Sequence, residues 1–408
     1  MYPSLRKWLQ VSFFNLMLVA FIGIVLRYKI AFSLPFIDQK YLLHAHSHFA
    51  FAGWITQALM ALLVANLTEQ NQQNYFIKYR WILYANLLTA YGMLFTFPFI
   101  GYGFLSILFS TLSVFVSYGF AIIYWRDLNK TKNKTIVHAW FKLALLCSVI
   151  SSLGPFSLAY MMAVKSIAQN WYLASIYFFL HFQYNGWFFF ACMGLLAGQL
   201  SKHNIPFPVL RKIFLLFAFA VLPTLFLSLL WWPLPVWLYI ITITAAICQL
   251  AGLRSLINCI RLNKADLTKN FSRLQVSLFA LAALALTIKL CLQAFSVIPS
   301  VSKLAFGFRP IVIGYLHLVL LGIISIFILG YVSALNYVAT TKALKTGIII
   351  FVVGILLNEF LLMMQGMADI GYRGIPFMDR LLLTAAAILF SGLFLINYGL
   401  KKQMPVTG

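Results

Sequence analysis

The sequence predicts an all-α, polytopic membrane protein with a bundle of about twelve transmembrane helices. Of its 408 residues, 63% are hydrophobic and only 9% are charged, whereas about a quarter of the residues of a soluble globular protein carry a charge. The mean hydropathy is +0.93. The apolar residues stand in continuous runs of about 20, the length that a helix needs to cross a bilayer. A transmembrane β-barrel would need alternating segments of about ten residues instead.

The apolar runs divide into twelve predicted spans. The seventh and eighth are separated only by a turn at Trp231, Trp232 and Pro233, and the candidate kinks inside spans are Pro155 and Pro223. No linker and no clear repeat interrupts the chain, so a single transmembrane domain over 1–408 is expected. The spans are predicted at 9–27, 41–66, 81–100, 103–125, 142–164, 170–199, 212–231, 233–253, 274–297, 310–334, 346–366 and 381–400.

The Lys and Arg residues indicate how the spans are oriented. When the two termini and the even-numbered loops are placed on one side, that side carries 21 of the 30 basic residues and the other side carries 8, with Lys289 alone inside a span. Basic residues concentrate on the cytoplasmic side of membrane proteins, so both termini are predicted to be cytoplasmic, in a bacterial inner membrane. The net charge of +23 is therefore a marker of orientation, and no nucleic-acid partner is expected.

Polar side chains inside the spans are the candidates for a functional site, because hydrocarbon offers them no water. With the predicted orientation, five spans bring such residues into the outer half of the membrane, and His181 lies deepest, about 16 Å in at 1.5 Å per residue. The candidates are His44, His46 and His48 in the second span, His181 and Gln183 in the sixth, Lys289 in the ninth, His317 in the tenth and Glu359 in the eleventh.

His46 and His317 would suit a low-spin haem. Each lies near the outer end of its helix, and two neutral imidazoles at matched depth are what bis-histidine haem ligation needs. Ala50, Gly53 and Gln57 follow His46 on the same face, where small residues would let a flat macrocycle lie against the backbone. The alternative for a histidine near a helix end is a hydrogen bond at the membrane interface.

Three other buried groups each have two interpretations. His181 either binds a metal or acts in catalysis, or it is a packing histidine with hydrogen bonds. Lys289 either has a functional role or extends its ammonium group towards the interface. Glu359 either forms a buried ion pair with Lys289 or carries protons.

The histidine-bearing stretches resemble subunit I of the haem-copper respiratory oxidases and the related nitric oxide reductases. The resemblance is weak in identity but runs through most of the length, and that family has a twelve-helix core with cytoplasmic termini. LLHAHSHFAFAG looks like the helix that carries a low-spin haem histidine, which implies His46, with His48 as the substitute. The sixth span, YFFLHFQYNGWFFFACMGLLAG, is similar to the nitric oxide reductase helix whose histidine binds the active-site copper or non-haem iron, which implies His181.

Two further stretches extend the resemblance. The tenth helix of the family has an HxH pair whose second histidine completes the low-spin haem site, and Tyr315-Leu316-His317 implies that role for His317. Arginines after the eleventh helix bind haem propionates in the family, and GMADIGYRGIPFMD implies Arg373, since Arg can meet a carboxylate bidentately. HAHSHF also resembles the opening of NnrS, a haem-containing membrane protein of nitrogen-oxide metabolism.

The sequence departs from the family at the binuclear centre. The first histidine of HxH is replaced by Tyr315, and the seventh span, IFLLFAFAVLPTLFLSLLW, contains no histidine. A complete haem-copper centre is therefore not supported, and copper or non-haem iron at His181 is doubtful. Because tyrosinate can ligate haem iron, a modified second haem at Tyr315 is the alternative.

The leading hypothesis is a haem-binding inner-membrane protein with one low-spin b-type haem, working in electron transfer or in respiratory oxygen or nitrogen-oxide chemistry. As an oxidoreductase it would form its pocket from His181, Tyr184, Lys289 and Glu359. The chain has no CxxCH motif for c-type haem, so besides membrane lipid its expected partners are quinol, a cytochrome or a respiratory subunit that supplies electrons. The second hypothesis is a haem-free transporter or structural subunit that uses a buried His/Lys/Glu cluster.

Overall fold

A computed structural model describes residues 3–132, 134–166, 168–203, 205–269, 271–334 and 341–401. Within these ranges the regular structure is entirely helical and contains no β-strand. The predicted all-α fold class is therefore confirmed. Three of the long helices contain a π-helical segment, and one helix continues into a 3₁₀ segment.

The α-helices are numbered in chain order over the described residues. The first nine are α1 Pro3–Phe32, α2 Gln39–Phe49, α3 Gln57–Asn71, α4 Phe76–Ile100, α5 Phe104–Lys130, α6 Ile136–Ser151, α7 Leu153–Ala163, α8 Gln169–Leu180 and α9 Phe189–Lys202. The others are α10 Phe207–Val221, α11 Val236–Leu262, α12 Lys264–Thr268, α13 Arg273–Phe295, α14 Pro299–Gly307, α15 Arg309–His317, α16 Ile326–Ala334, α17 Lys342–Ile370 and α18 Met378–Lys401. The π-helical segments are π1 Ala50–Thr56, π2 His181–Phe188 and π3 Leu318–Ser325, and the 3₁₀ segment is Pro223–Leu229.

In the described part of the chain, ten helices are long and apolar enough to cross a membrane. An eleventh candidate is the pair Phe207–Val221 and Pro223–Leu229, which is bent by 46°. The remaining predicted span, 170–199, lies in the helix formed by α8, π2 and α9, which is not among the apolar candidates because polar residues interrupt it. The chain is thus a multi-pass helical membrane protein, and the count of twelve spans stays a prediction.

The chain divides into two compact units, which are described separately. Unit 1 comprises 1–120 and 328–408, and unit 2 comprises 121–327. The divisions fall within α5 and within α16. The single domain expected over 1–408 stays a prediction.

Unit 1 is built around the continuous helix formed by α2, π1 and α3. This helix covers Gln39–Asn71, and 94% of its most apolar stretch is buried. Asp38 caps its start by accepting a hydrogen bond from the Tyr41 backbone N–H, and Gln72 ends it in the left-handed conformation. Both α1 and α4 pack along this helix, so the second predicted span, 41–66, lies inside the core helix of the unit.

Two buried asparagines hold π1 from opposite neighbours. Asn15 of α1 donates to the Gly53 carbonyl at 2.6 Å, and Asn86 of α4 donates to the Ala52 carbonyl at 3.0 Å. Asn86 also donates to Gln57 Oε1 at 2.8 Å. Because the bilayer interior offers no water to backbone groups, a wide turn there needs donors from the protein. The two amides meet this need at the point where the helix leaves α geometry.

The α17 and α18 helices pack through glycines. Gly347 and Gly354 lie two turns apart on α17, and a Cβ on either would meet the backbone of α18 at 2.7 to 2.9 Å. On α18, a Cβ on Gly392 would lie 2.5 Å from the Phe351 backbone nitrogen. No side chain fits at these points, so the two backbones touch, as they do in membrane helix pairs built on small residues.

Unit 2 surrounds π2 with α6, α8 and α9, while α11 packs against α10 and α13, and π3 packs against α13. The closest approach is at Gly186 in π2, where a Cβ would lie 2.5 Å from the Cβ of Cys147 in α6. Glycine therefore lets the wide turn of π2 lie directly against α6.

Prolines explain two breaks in unit 2. The α6 helix ends at Ser151, whose carbonyl would be the helical acceptor of Pro155, a residue without an N–H. The α10 helix ends just before Pro223 and continues as the bent 3₁₀ segment. Both prolines were the predicted kinks. The eighth span was predicted too early, because α11 begins only after Pro235, at Val236, and runs on to Leu262.

The glycine contact between α17 and α18 predicts a stability difference. We expect Gly392→Leu to lower the free energy of unfolding by about 1 to 3 kcal/mol or more, because the new side chain overlaps the α17 backbone. Ser391→Leu is the matched control, since Ser391 is exposed on the same helix. The measurement is thermal unfolding of both variants in detergent. Equal stability of the two would contradict backbone contact at Gly392.

Candidate cofactor and polar sites

Each of the three π-helical segments in the described residues lies beside a histidine that the sequence singled out. His46 and His48 precede π1 by less than two turns, His181 begins π2, and His317 immediately precedes π3. A π-turn is rare and is frequently found at functional sites. The three irregular turns therefore mark the same three helices as the histidines do.

The histidines of α2 lie on two faces in unit 1. His48 stacks on Phe97 of α4, with ring centroids 4.6 Å apart and an interplanar angle of 10°, and Nδ1 of His44 lies 3.4 Å from the Tyr102 hydroxyl. His46 faces the opposite way, over α1, where a Cβ on Gly23 would lie 3.5 Å from its Cε1. Residues four apart share a helix face and residues two apart do not, so the sequence spacing alone accounts for this separation of His46 from His44 and His48.

The small-residue face expected below His46 is not open. A Cβ on Gly53 would lie 2.6 Å from Cε2 of Phe49, so the Phe49 ring occupies that space. Gln57 is buried and accepts the Asn86 amide. The prediction assumed 3.6 residues per turn, but π1 is wider and rotates every residue after it. Any group bound at His46 would therefore not lie against Gly53.

His317 of unit 2 has one ring nitrogen held by its own helix. Nδ1 lies 2.9 Å from the Ile313 carbonyl, an acceptor, which assigns the proton to Nδ1. The lone pair is then on Nε2, the tautomer in which metal-binding histidines are commonly fixed by a backbone carbonyl. His317 is half-buried at the end of α15.

His181 uses both ring nitrogens for hydrogen bonds within unit 2. Nε2 lies 2.8 Å from the Val221 carbonyl, and Nδ1 lies 3.1 Å from Nδ2 of Asn185. The imidazole therefore donates to the carbonyl and accepts from the amide, and it is fully buried. A metal at His181 would have to displace one of these bonds, so the geometry favours the packing interpretation.

The break at Pro223 explains why Val221 needs His181. In an α-helix the Val221 carbonyl would accept from the Leu225 N–H, but that N–H donates to Leu222 in the 3₁₀ segment, at 3.2 Å. His181 supplies the missing donor, together with a longer contact of 3.4 Å from the Thr224 hydroxyl. The imidazole thus stabilises the bend in α10.

Lys289 lies beside a small polar cavity in unit 2. The lysine is 4% exposed, and its neighbours around the cavity include Asn185 and Gln249. The cavity has a volume of about 10 Å³, about the least that holds one water molecule. Only Asp127 and Asp266 carry a carboxyl group in 121–327, and neither lies on the helix of Lys289. No carboxylate of the unit therefore pairs with it in the described residues.

Gln249 supplies an unsatisfied acceptor to the same cavity. Its Nε2 is 3.4 Å from the Thr224 hydroxyl, while its buried Oε1 has no hydrogen-bond partner among the described residues. A buried amide oxygen without a donor is costly. Asn185, Gln249 and Lys289 meet at this cavity, and His181 joins them through its hydrogen bond with Asn185, which makes a buried polar cluster of these four residues.

Tyr184 and Tyr315 also meet in unit 2. Their ring centroids lie 6.2 Å apart at 71°, and their hydroxyls are in hydrogen-bonding contact, with Ser228 beside Tyr184. Both candidate tyrosines thus belong to one pair. Tyr315, which replaces the first histidine of the HxH pattern, contacts π2 through Tyr184.

Glu359 and Arg373 belong to unit 1. Glu359 is half-buried on α17, and its Oε1 accepts a hydrogen bond from the neighbouring Asn358 amide at 3.2 Å. Arg373 follows α17 with an exposed side chain, and its backbone N–H bonds to Ala368 at 2.9 Å. Glu359 is thus assigned to unit 1 and Lys289 to unit 2, so their predicted ion pair stays a prediction.

The predicted site residues are divided between the two units. Unit 2 holds His181, Tyr184, Lys289, Tyr315 and His317, and no group of three His, Cys, Asp or Glu side chains in the described ranges could hold a metal ion. Unit 1 holds the other predicted residues, His46, His48, Glu359 and Arg373.

Two members of the cluster were not singled out from the sequence. Asn185 and Gln249 are neutral amides inside apolar runs, whereas nearly all the candidates taken from the sequence are ionisable. Asn185 follows His181 by four residues, which places both on one helix face. A neutral amide inside an apolar span also needs a hydrogen-bond partner. Its occurrence in such a span is therefore a sequence signal that could have identified both residues.

Comparison with known proteins adds no relative. The chain matches no family model, and no curated protein matches it. The helices and their buried polar residues define the class, a multi-pass helical membrane protein, while the resemblance to haem-copper oxidases stands on its motifs alone.

The hydrogen bonds of His181 predict the effect of removing them. We expect His181→Leu to cost about 2 kcal/mol or more of stability, because it leaves the Val221 carbonyl and the Asn185 amide unsatisfied. His181→Gln, which keeps a donor and an acceptor, should cost less, and His203→Leu at the end of α9 serves as the control. Thermal unfolding in detergent measures all three. A His181→Leu variant as stable as the control would show that these bonds do not hold the bend.

Proposed function

We propose that the chain is a haem-binding membrane protein that works in electron transfer or in respiratory oxygen or nitrogen-oxide chemistry, in a bacterial inner membrane with cytoplasmic termini. The observation that carries the proposal is the hydrogen bond of the His317 ring. Its Nδ1 is committed to a backbone carbonyl, so Nε2 carries the lone pair that an axial ligand needs. The histidine side chain is thereby oriented before any ligand binds.

The histidines of α2 fit a bound group as well. His44 has a buried Nε2 without a hydrogen-bond partner in the described residues, and a native protein rarely leaves such an atom unsatisfied unless a group is absent. His46, as the sequence resemblance implies, would supply the second axial nitrogen. A b-type haem held by His46 and His317 would supply reversible one-electron transfer. The two residues belong to different units, so their pairing rests on the resemblance.

The other residues would position and insulate the group. Arg373 would meet a propionate carboxylate bidentately. His181, with both nitrogens bonded to protein, supports the bend in α10 and supplies no ligand in this arrangement. Tyr315, bonded to Tyr184, stands two residues before His317 on α15, so the two side chains point to different sides of that helix. Quinol, a cytochrome or a partner subunit would supply the electrons.

A reduced-minus-oxidised spectrum of the purified protein tests the proposal. We expect a sharp low-spin haem b band in the wild type, lost in His46→Ala and in His317→Ala and retained in the control His203→Ala. His44→Ala and His48→Ala identify which α2 histidine is the ligand. A folded, monodisperse protein without haem would overturn the proposal, and so would a band that survives His317→Ala.

A haem-free, proton-coupled transporter is the second candidate, and one observation favours it. Discontinuous helices with polar groups at the break are common at transporter binding sites, and α10 is bent by 46° where His181 bonds to the Val221 carbonyl. Lys289 and Gln249 line the cavity beside this break. In this candidate the buried ammonium group, and not the α2 histidines, would be the essential residue.

Proton flux into vesicles separates the two candidates. If the chain is such a transporter, the reconstituted wild type should move protons, as reported by an internal pH-sensitive dye, and Lys289→Met should not. Lys264→Met is the control, because Lys264 is exposed on α12 and lines neither this cavity nor the bent helix. Unfolding temperatures serve as a check, since replacing a buried, unpaired ammonium with an isosteric thioether should not destabilise the fold. Flux that Lys289→Met leaves intact would exclude this candidate.

A further inference from the structure

A groove in unit 2 is lined by apolar side chains and by two cationic side chains. It lies along α10 and reaches α11 at Cys248, with a volume of about 600 Å³. Its apolar lining comes from Phe207, Leu215 and Phe219 among others, and Arg211 with Lys212 line the same groove. We propose that this groove, hereafter the α10 groove, binds an anionic phospholipid.

The two cations of the groove have no carboxylate partner among the described residues. Arg211 and Lys212 are both exposed, and neither forms an ion pair within the described residues. No Asp or Glu occurs between Asp127 and Asp266, a stretch that includes all of α10 and α11. Two adjacent cations without a carboxylate select for an anion, and they offer nothing to the positive end of a zwitterionic headgroup.

The start of α10 adds to the positive field. The helix begins at Phe207, no acidic residue lies in its first turn, and no side chain caps it. The N-terminus of a helix carries partial positive charge and attracts phosphate groups. Arg211 and Lys212 follow within about one turn, so the cations and the helix dipole reinforce one another at one end of the groove.

The apolar part has the position and length of an acyl chain. Leu215 is 49% exposed and Phe219 is 62% exposed, and both follow Arg211 at helical spacing on the same side. From Arg211 to Phe219 the helix rises about 12 Å at 1.5 Å per residue, close to the depth of about 15 Å of one hydrocarbon leaflet. A headgroup phosphate at Arg211 and Lys212 would thus leave one acyl chain lying along the groove. The distribution of basic residues predicts that this is the cytoplasmic leaflet.

Lipid retention by the full-length protein tests the assignment. Native mass spectrometry of detergent-purified protein compares phosphatidylglycerol with phosphatidylcholine of the same acyl chains. We expect preferential binding of phosphatidylglycerol, reduced about ten- to thirtyfold in Arg211→Gln/Lys212→Gln, since each basic residue near a lipid surface contributes a several-fold gain. The matched control is Arg254→Gln/Arg261→Gln, which removes two exposed charges from α11 outside the groove lining.

Two further measurements distinguish a bound lipid from a free anion. They also test the proposal if the double variant fails to fold. Cys248→Phe narrows the apolar end while keeping both cations, and it should also weaken phosphatidylglycerol binding. Alkylation of Cys248 in a Cys291→Ser background should slow when phosphatidylglycerol, but not glycerol phosphate, is added. Equal binding of the two lipids, unchanged binding by the double variant, or equal protection by glycerol phosphate would each overturn the proposal.

Discussion

In the described spans, side chains supply hydrogen bonds to the backbone where the helices depart from α geometry. A carbonyl released inside a bilayer has no water to bond, so it needs a donor from a neighbouring element. Asn15 and Asn86 provide donors to π1, His181 provides one to Val221, and the Ser325 hydroxyl bonds to the Leu320 carbonyl at 2.7 Å in π3. These polar side chains within apolar spans thus have a structural role, because they donate hydrogen bonds to backbone carbonyls.

The same requirement distinguishes the histidines by which of their ring nitrogens are already used in hydrogen bonds to the protein. His181 gives Nε2 to a broken helix and Nδ1 to Asn185, so its ring is already saturated. His317 gives Nδ1 to the carbonyl one turn before it, which places the lone pair on Nε2. A ligand to iron needs one nitrogen oriented and the other basic. On this criterion His317 fits a cofactor and His181 fits the fold, although both stand beside π-helical turns.

The sequence predicted the features that depend on composition and spacing. Long apolar runs specified the helices, Pro155 and Pro223 specified the breaks, and the i, i+4 relation placed His44 and His48 on one face opposite His46. It could not predict the π-turns, because a π-turn has no residue signature and arises where packing between helices outweighs ideal hydrogen bonding. The sequence therefore indicated which residues are polar and buried, but not which carbonyls they serve.

The wide turn of π1 also explains how one helix can carry two kinds of surface. An extra residue in a helical turn rotates everything after it by about 100°, so the faces of α2 do not continue into α3 at the regular helical spacing. In α3 nearly all residues before Asn66 are buried, whereas His44, His46 and His48 in α2 remain half-exposed. Had the helix been regular, the residues that pack α3 on all sides would have fixed the direction of the histidines as well. With π1 between them, α3 packs on all sides, and the imidazoles of α2 take their directions from the neighbours of α2 itself, His48 against Phe97 of α4 and His46 over α1.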